Sequence, residues 1–596
     1  MKPLAFALSL SLSLAASAYA ASDASTAPAF HSWAPTPPMG WNSWDNFATT
    51  VTEAQTKAQA DYMAEHLKAH GWRYIVVDIQ WYEPGAKSHD YRPDAVLTMD
   101  AHGRLTPALN RFPSAADGAG FKPLADYIHA LGLKFGVHLM RGIPRQAVEK
   151  NLPVLGTPYR AQDIADRSSI CPWNPDMFGV DLTKPGAQDY YDSVFALFAS
   201  WGVDYVKVDD ISRPYHDHEP EIEAIRRAID RTGRPIVLSL SPGETALTAA
   251  AHVRQHANLW RISDDFWDRW LALRDQFARL ENWNPHRIPG AWPDADMLPL
   301  GVLNLGTRST RFTPDEQRTM MTLWSIARSP LMHGGDLTQT DAATLALLTN
   351  DEVLAVNQHS TNNRPLFNRD QLIAWIADVP NSSDKYLAVF NTRDRIPLTP
   401  ENARFASGPV TGNPATAAPI DADLTGATQL FLAVEPVDAT GDGNRILWRE
   451  PRLVFADGTE RPLTEHEWTH ADATWDSTAV KKDAAGKSLG IAAQIPARIE
   501  FTLPPGVVRF RAQGVVESHA GGREPGPARF LVVVATAADE AAPRTVPVPV
   551  ALADLGFTGA VTVRDLWTHR DLGPVTETFA PEIPFHGAGL FRLSPK

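Results

Sequence analysis

From Pro38 to about Asn350, short apolar runs alternate with stretches of helical periodicity. Apolar or β-branched runs predict strands at Met39–Trp44, Tyr74–Trp81, Lys134–Leu139, Tyr205–Asp209, Pro235–Leu240, Leu259–Ser263, near Ala291, and at Ser329–His333. Between them, apolar positions recur at helical spacing over Glu53–His70, Phe121–Leu131, Ala187–Ser200, Glu221–Arg231 and Pro314–Arg328. Eight such units over about 300 residues predict a (β/α)8 TIM barrel. A doubly wound sheet is the alternative, but no G-x-G-x-x-G follows the first strand.

After Gln358 the helical periodicity stops and alternation takes over. Leu372–Ile376, Tyr386–Asn391, Phe530–Ala535, Ala560–Leu566 and Gly589–Leu593 predict a C-terminal antiparallel β-sandwich. Gln429–Val434, Ala497–Thr502 and Gly506–Ala512 predict a second β domain inserted into the first, bracketed by the polar stretches Gly408–Pro419 and Ser518–Pro527. The expected organisation is a barrel over 21–360, a sandwich over 361–418 and 522–596, and an insertion over 419–521.

At the amino end, Lys2, an apolar run from Leu4 to Ala16 and Ala18-Tyr19-Ala20 read as a secretory signal over 1–20. The expected location is therefore exported, periplasmic or secreted. No later run reaches the roughly 20 apolar residues that span a bilayer. The chain has 55 basic and 69 acidic residues and no basic cluster, which argues against nucleic acid or an anionic membrane as partner. Its single cysteine, Cys171, excludes an intramolecular disulfide and a thiolate metal cluster, and reads as a small buried hydrophobe. Many of the 18 tryptophans fall near strand ends or in loops, where sugars can stack.

The chemistry concentrates at two strand ends. Tyr205-Val206-Lys207-Val208-Asp209-Asp210 ends on a lysine and two carboxylates, and Leu259-Trp260-Arg261-Ile262-Ser263-Asp264-Asp265 ends on two more. Charges need partners or water, so both ends belong at the open, C-terminal mouth of a parallel barrel. Two carboxylates facing one cleft suit glycoside hydrolysis, one attacking and one protonating the leaving oxygen. The long segments Tyr82–Gly120 and Met140–Pro185 would form the walls of that cleft. Asp78, Asp209, Asp210 and Asp265 are also oxygen ligands in type, but Lys207 and Arg261 already compensate their charge. No metal and no cofactor are expected.

Five motifs come in one order: Pro38-Met39-Gly40-Trp41-Asn42-Ser43-Trp44, Asp204-Tyr205-Val206-Lys207-Val208-Asp209, Trp260-Arg261 with Asp265, Trp292-Pro293-Asp294-Ala295-Asp296-Met297-Leu298, and Asn357-Gln358. In these the chain resembles glycoside hydrolase family 27, the α-galactosidase family. Its end, Asp565-Leu566-Trp567 and His586-Gly587-Ala588-Gly589-Leu590-Phe591, resembles the end of that family's C-terminal sandwich. The insertion weakly resembles an NPCBM-type carbohydrate-binding module. The resemblance implies a retaining mechanism, with Asp209 as nucleophile and Asp265 as acid/base. It also implies that Trp44, Asp78, Lys207, Arg261 and Asp296 bind the sugar. Asp265 should then begin the cycle protonated, with its pKa raised by burial or by negative neighbours.

The departures bear on the substrate. Where the family has two consecutive acids that hold the O4/O6 edge of galactose, this chain has Asp78-Ile79. The family's Cys-Glu after the fifth strand is replaced within Ser239-Leu240-Ser241-Pro242-Gly243-Glu244. His138 replaces a common tyrosine, and Ile211 the cysteine that follows the nucleophile. Release of terminal α-galactosyl residues is the expected activity. The alternatives are a β-L-arabinopyranoside or α-glucosyl specificity, or a non-catalytic sugar-binding protein.

Overall fold

The computed structural model describes residues 27–596, so the expected signal segment 1–20 lies outside it. Eight parallel strands form the barrel: β1 (Met39–Asn42), β2 (Tyr74–Val77), β3 (Lys134–Met140), β4 (Tyr205–Asp209), β5 (Val237–Leu240), β6 (Leu259–Arg261), β7 (Trp292–Asp294) and β8 (Leu331–His333). They pair in the order β7-β6-β5-β4-β3-β2-β1-β8, and Leu298, just past β7, bridges in parallel to His333 on β8. All eight expected strands are present, several cut short at their polar ends.

The strands are short and buried on both faces, because helices cover the outside and side chains fill the inside. At Gly40 on β1 an added Cβ would lie 2.6 Å from the Cβ and carbonyl oxygen of Tyr74, so only glycine lets β1 and β2 approach this closely. The helices begin and end on ordinary signals. Thr313 caps the helix Pro314–Ala327 in a reciprocal box with Glu316, and Gly202 ends Ala187–Trp201 in a left-handed turn.

Past the barrel, six antiparallel strands form the outer sandwich sheet: Thr361–Arg369, Leu372–Asp378, Lys385–Asn391, Ala588–Pro595, Val561–Asp565 and Arg570–Val575. The expected strand at Phe530–Ala535 lies elsewhere. It belongs to Ala528–Thr536, which pairs with Ala427–Pro436 inside the inner β unit. Strand pairing therefore draws the inner unit from Phe405 to Thr536, wider than the expected 419–521. Alternation marks a strand but does not say which sheet completes its hydrogen bonds. Trp448, Phe510 and Phe530 pack ring against ring between the unit's two sheets.

Two polar contacts seat the inner unit. Asp472, almost wholly buried, accepts from the Leu271 amide (3.0 Å) and from Arg269 (3.4 Å), at the amino end of the barrel helix Trp270–Trp283. Its charge meets the positive pole of that helix. Nearby, His586 of the outer sandwich bonds Glu316 of the barrel (2.8 Å) and Asp394 (3.0 Å), while Arg498 of the inner unit grips Asp394 with both terminal nitrogens. Among the described residues, no helix is long and apolar enough to cross a membrane.

Candidate active site

The carboxyl ends of the barrel strands surround a pocket of about 370 Å³. Side chains alternate along a strand, so Lys207 and Asp209 of β4 point the same way, and both line it. Lys207 donates to Asp78 Oδ2 (2.9 Å) and lies 3.7 Å from Asp209 Oδ2. His138, from β3, holds the same Asp209 oxygen through Nε2 at 2.9 Å. The other oxygen, Oδ1, is buried and has no hydrogen-bond partner. Burial alone would raise the Asp209 carboxyl, but Lys207, His138 and Arg261 outweigh it and hold the group well below the usual carboxylate range. Asp209 is thus an ionised carboxylate with one anchored and one free oxygen.

Asp265 follows β6 and is the more open carboxylate, 38% exposed. Arg261 reaches it at 3.2 Å, touches Asp296 Oδ2 at 2.5 Å and donates to Ser241 Oγ at 3.2 Å. Arg261's other carboxylate partner, Asp296, is one that burial lifts. Burial, with Asp265 and Asp294 alongside, outweighs Arg261 and raises it to about 7. The amides of Phe266 and Met297 both donate to Asp296, which fixes its orientation.

Trp44 lies against the ring of Tyr91, at 6.2 Å and nearly parallel, and edge-on to His89. Tyr91 in turn meets Trp173. Tyr91 and Trp173 come from the segments 82–120 and 140–185, which contribute to the walls that the sequence led us to expect. Of the expected site residues, Trp44, Lys207, Asp209, Arg261, Asp265 and Asp296 all line this pocket. Asp78 does not. It is fully buried behind Lys207, with its oxygens taken by Asn42, Lys207 and the Ile79 amide. Ile79 itself faces the pocket.

The two undecided carboxylates are now placed. Asp210 sits at a left-handed backbone position (φ 60°) and pairs with buried Arg141 at 2.8 Å. Asp264 turns outward to Arg213. Among the pocket residues that the sequence did not mark is a further acid. Asp45 follows Trp44 in the sequence, is 3% exposed, and has Oδ2 buried without a partner. Burial, with Asp296 close by, raises its carboxyl well above the usual carboxylate range. A lone acid beside a tryptophan carries no spacing signal that would have marked it. Asp78, His138 and Asp209 could in type share a cation, but the Lys207 ammonium already lies against both carboxylates.

Residues 36–181 and 180–359 match the family profile described as alpha galactosidase A, and residues 528–593 that of the alpha galactosidase C-terminal beta sandwich domain. Alpha-galactosidase 2 of Arabidopsis thaliana is 30% identical over 325 residues, 54% of this chain and 66% of that protein. The chain thus spans just under two thirds of that curated relative. A family 27 β-L-arabinopyranosidase from Geobacillus stearothermophilus is 40% identical, with a TM-score of 0.69 over 95% of this chain and 98% of that one. A variant of that protein, crystallised with arabinose, matches equally well, with a TM-score of 0.68 over 96% and 99%.

Proposed function

The chain belongs to glycoside hydrolase family 27, the α-galactosidase family, and from that premise we propose that it is a retaining glycosidase of terminal pyranosides with the galactose configuration. The family profile and the curated relative point to the α-D-galactosyl bond. The observation that supports the mechanism is the pair of carboxylates in one pocket: Asp209, ionised, with Oδ1 unpartnered, and Asp265 on the solvent side. Asp209 Oδ1 forms a bond to the anomeric carbon as the bond to the leaving oxygen breaks, and Asp265 gives that oxygen its proton. A water then attacks the same carbon, Asp265 takes the water's proton, and Asp209 leaves as carboxylate. Two inversions give net retention.

Ile79 carries a second reading within this chemistry. β-L-Arabinopyranose has the ring configuration of galactose and lacks its hydroxymethyl group. An apolar wall leaves that hydroxyl without its carboxylate partner, at a cost of about 1–3 kcal/mol, and removes nothing from the pentose. The 40% identical neighbour over nearly the whole chain supports the same direction. We therefore infer hydrolysis of both bonds, with the β-L-arabinopyranoside preferred by roughly 10- to 100-fold in kcat/KM.

The test is hydrolysis of matched nitrophenyl α-D-galactoside, β-L-arabinopyranoside and α-D-glucoside, with the product anomer followed by NMR. Asp209→Ala should lose activity by about 10⁴-fold or more, and azide should restore turnover as the azide of opposite anomeric configuration. Full activity in Asp209→Ala, or an inverted product from the native protein, would sink the reading. The sequence of residues 1–20 further supports export. An amino terminus at Ala21 in protein recovered outside the cytoplasm checks that point.

A further inference from the structure

A second cleft, of about 950 Å³, opens between the barrel mouth and the inner β unit. It runs into the sugar pocket, since Trp44, Asp264, Asp265, Trp267 and Trp475 border both spaces. Asp209 borders only the inner one. The cleft therefore starts at the candidate acid/base and leads away from the candidate nucleophile. In a retaining hydrolysis the leaving oxygen departs beside the acid/base, so the group attached to that oxygen must extend past Asp265.

One side chain at this junction comes from neither the barrel nor its loops. Trp475, in the inner unit, is 58% exposed at a left-handed backbone position (φ 57°). A bulky residue rarely adopts that conformation, and the exposed indole borders both the pocket and the cleft. An exposed indole offers an apolar face that suits the C–H face of a pyranose. Polar groups line the same cleft: Gln494, His519 and Arg523 from the inner unit, Asp275 and Arg279 from the barrel. An aromatic platform ringed by hydrogen-bonding groups is how a protein holds a sugar.

We propose that this cleft is an aglycone subsite, which takes the second sugar of an oligosaccharide on the Trp475 platform, so that the inner β unit completes the substrate site. The inference rests on the barrel pocket being a retaining glycosidase site. It assigns the inner unit a role in the substrate's own path instead of at a distant surface.

The experiment compares a trisaccharide carrying the released sugar at its non-reducing end with the glycosyl fluoride of that sugar, whose leaving group fills no subsite. Trp475→Ala should lower the trisaccharide-to-fluoride ratio of kcat/KM by roughly tenfold, the size of one lost aromatic contact, and Trp475→Phe should recover most of it. A ratio within twofold of the native protein's in Trp475→Ala would overturn the proposal. Calorimetric titration of raffinose into the Asp209→Ala protein, with and without Trp475→Ala, reads the cleft without turnover. Loss of affinity on removing Trp475 supports the subsite, and equal affinity rejects it. If the native protein cleaves no pyranoside, the glycosidase reading fails and this titration still decides the cleft.

Discussion

At the scale of single residues, the pocket divides into a charged side around Asp209 and an apolar side at Ile79, because the two have separate neighbours. Lys207 lies between two carboxylates, with 14% of its side chain exposed. Burial works against its charge, but Asp209 and Asp78 outweigh burial and keep it protonated. In return it keeps Asp209 ionised. Ile79 is next in sequence to Asp78 and contributes nothing to this network except its amide. A substitution there should change the proposed sugar preference and leave the network around Asp209 in place. Ile79→Asp should raise kcat/KM for the α-galactoside relative to the β-L-arabinopyranoside by roughly tenfold or more, as read with the two nitrophenyl glycosides. An unchanged ratio would mean that Ile79 does not read the sugar.

At the scale of elements, the decisive contact is one carboxylate on one helix. Asp472 is nearly inaccessible, and it satisfies the amino end of Trp270–Trp283 from outside the barrel. The helix's own residue before its first turn, Arg269, offers no capping side chain and pairs with Asp472 instead. Asp472→Ala should therefore leave the Leu271 amide and the Arg269 guanidinium unpaired, at a cost of about 1–3 kcal/mol, seen as a lower midpoint in urea. Because that helix and Trp475 border the same cleft, oligosaccharide turnover should fall with it, further than turnover of a glycosyl fluoride. Loss of both in equal measure would mean that Asp472 supports the barrel alone.

At the scale of the whole molecule, His586 joins three units. Both ring nitrogens bond carboxylates, Glu316 and Asp394, and the ring stacks on Trp270 at 3.7 Å. Carboxylates only accept, so the imidazole donates twice and is protonated. Burial would lower its pKa, but Asp394 and Glu316 outweigh burial and raise it above 6.5. A raised pKa means that the folded state binds this proton more tightly than the unfolded chain does. Its stabilisation is complete below about 6.5 and is lost as pH rises through the folded value. Thermal melts should show Tm falling from neutral to mildly alkaline pH, and His586→Gln should lower Tm at pH 6 while flattening that decline. An equal slope in the variant would place the dependence on another group.

The strand count, the alternation with helices and the two acidic strand ends were legible in the sequence, because period and charge are local properties. Tyr205–Asp209 reads as a strand that ends in carboxylates before any partner is known, and burial of an unpaired charge is costly enough to put that end at the mouth. Contacts between residues distant in sequence were not legible. Ala528–Thr536 has the alternation of any strand, and only its hydrogen bonds to Ala427–Pro436 put it in the inner unit. Asp78 and Ile79 are neighbours in the chain, yet the fold buries one behind Lys207 and turns the other to the pocket. Asp45 is an unremarkable acid until packing removes its water. Trp475 is one tryptophan among eighteen until the inner unit docks and carries it, more than two hundred residues along the chain, to the side of Asp265.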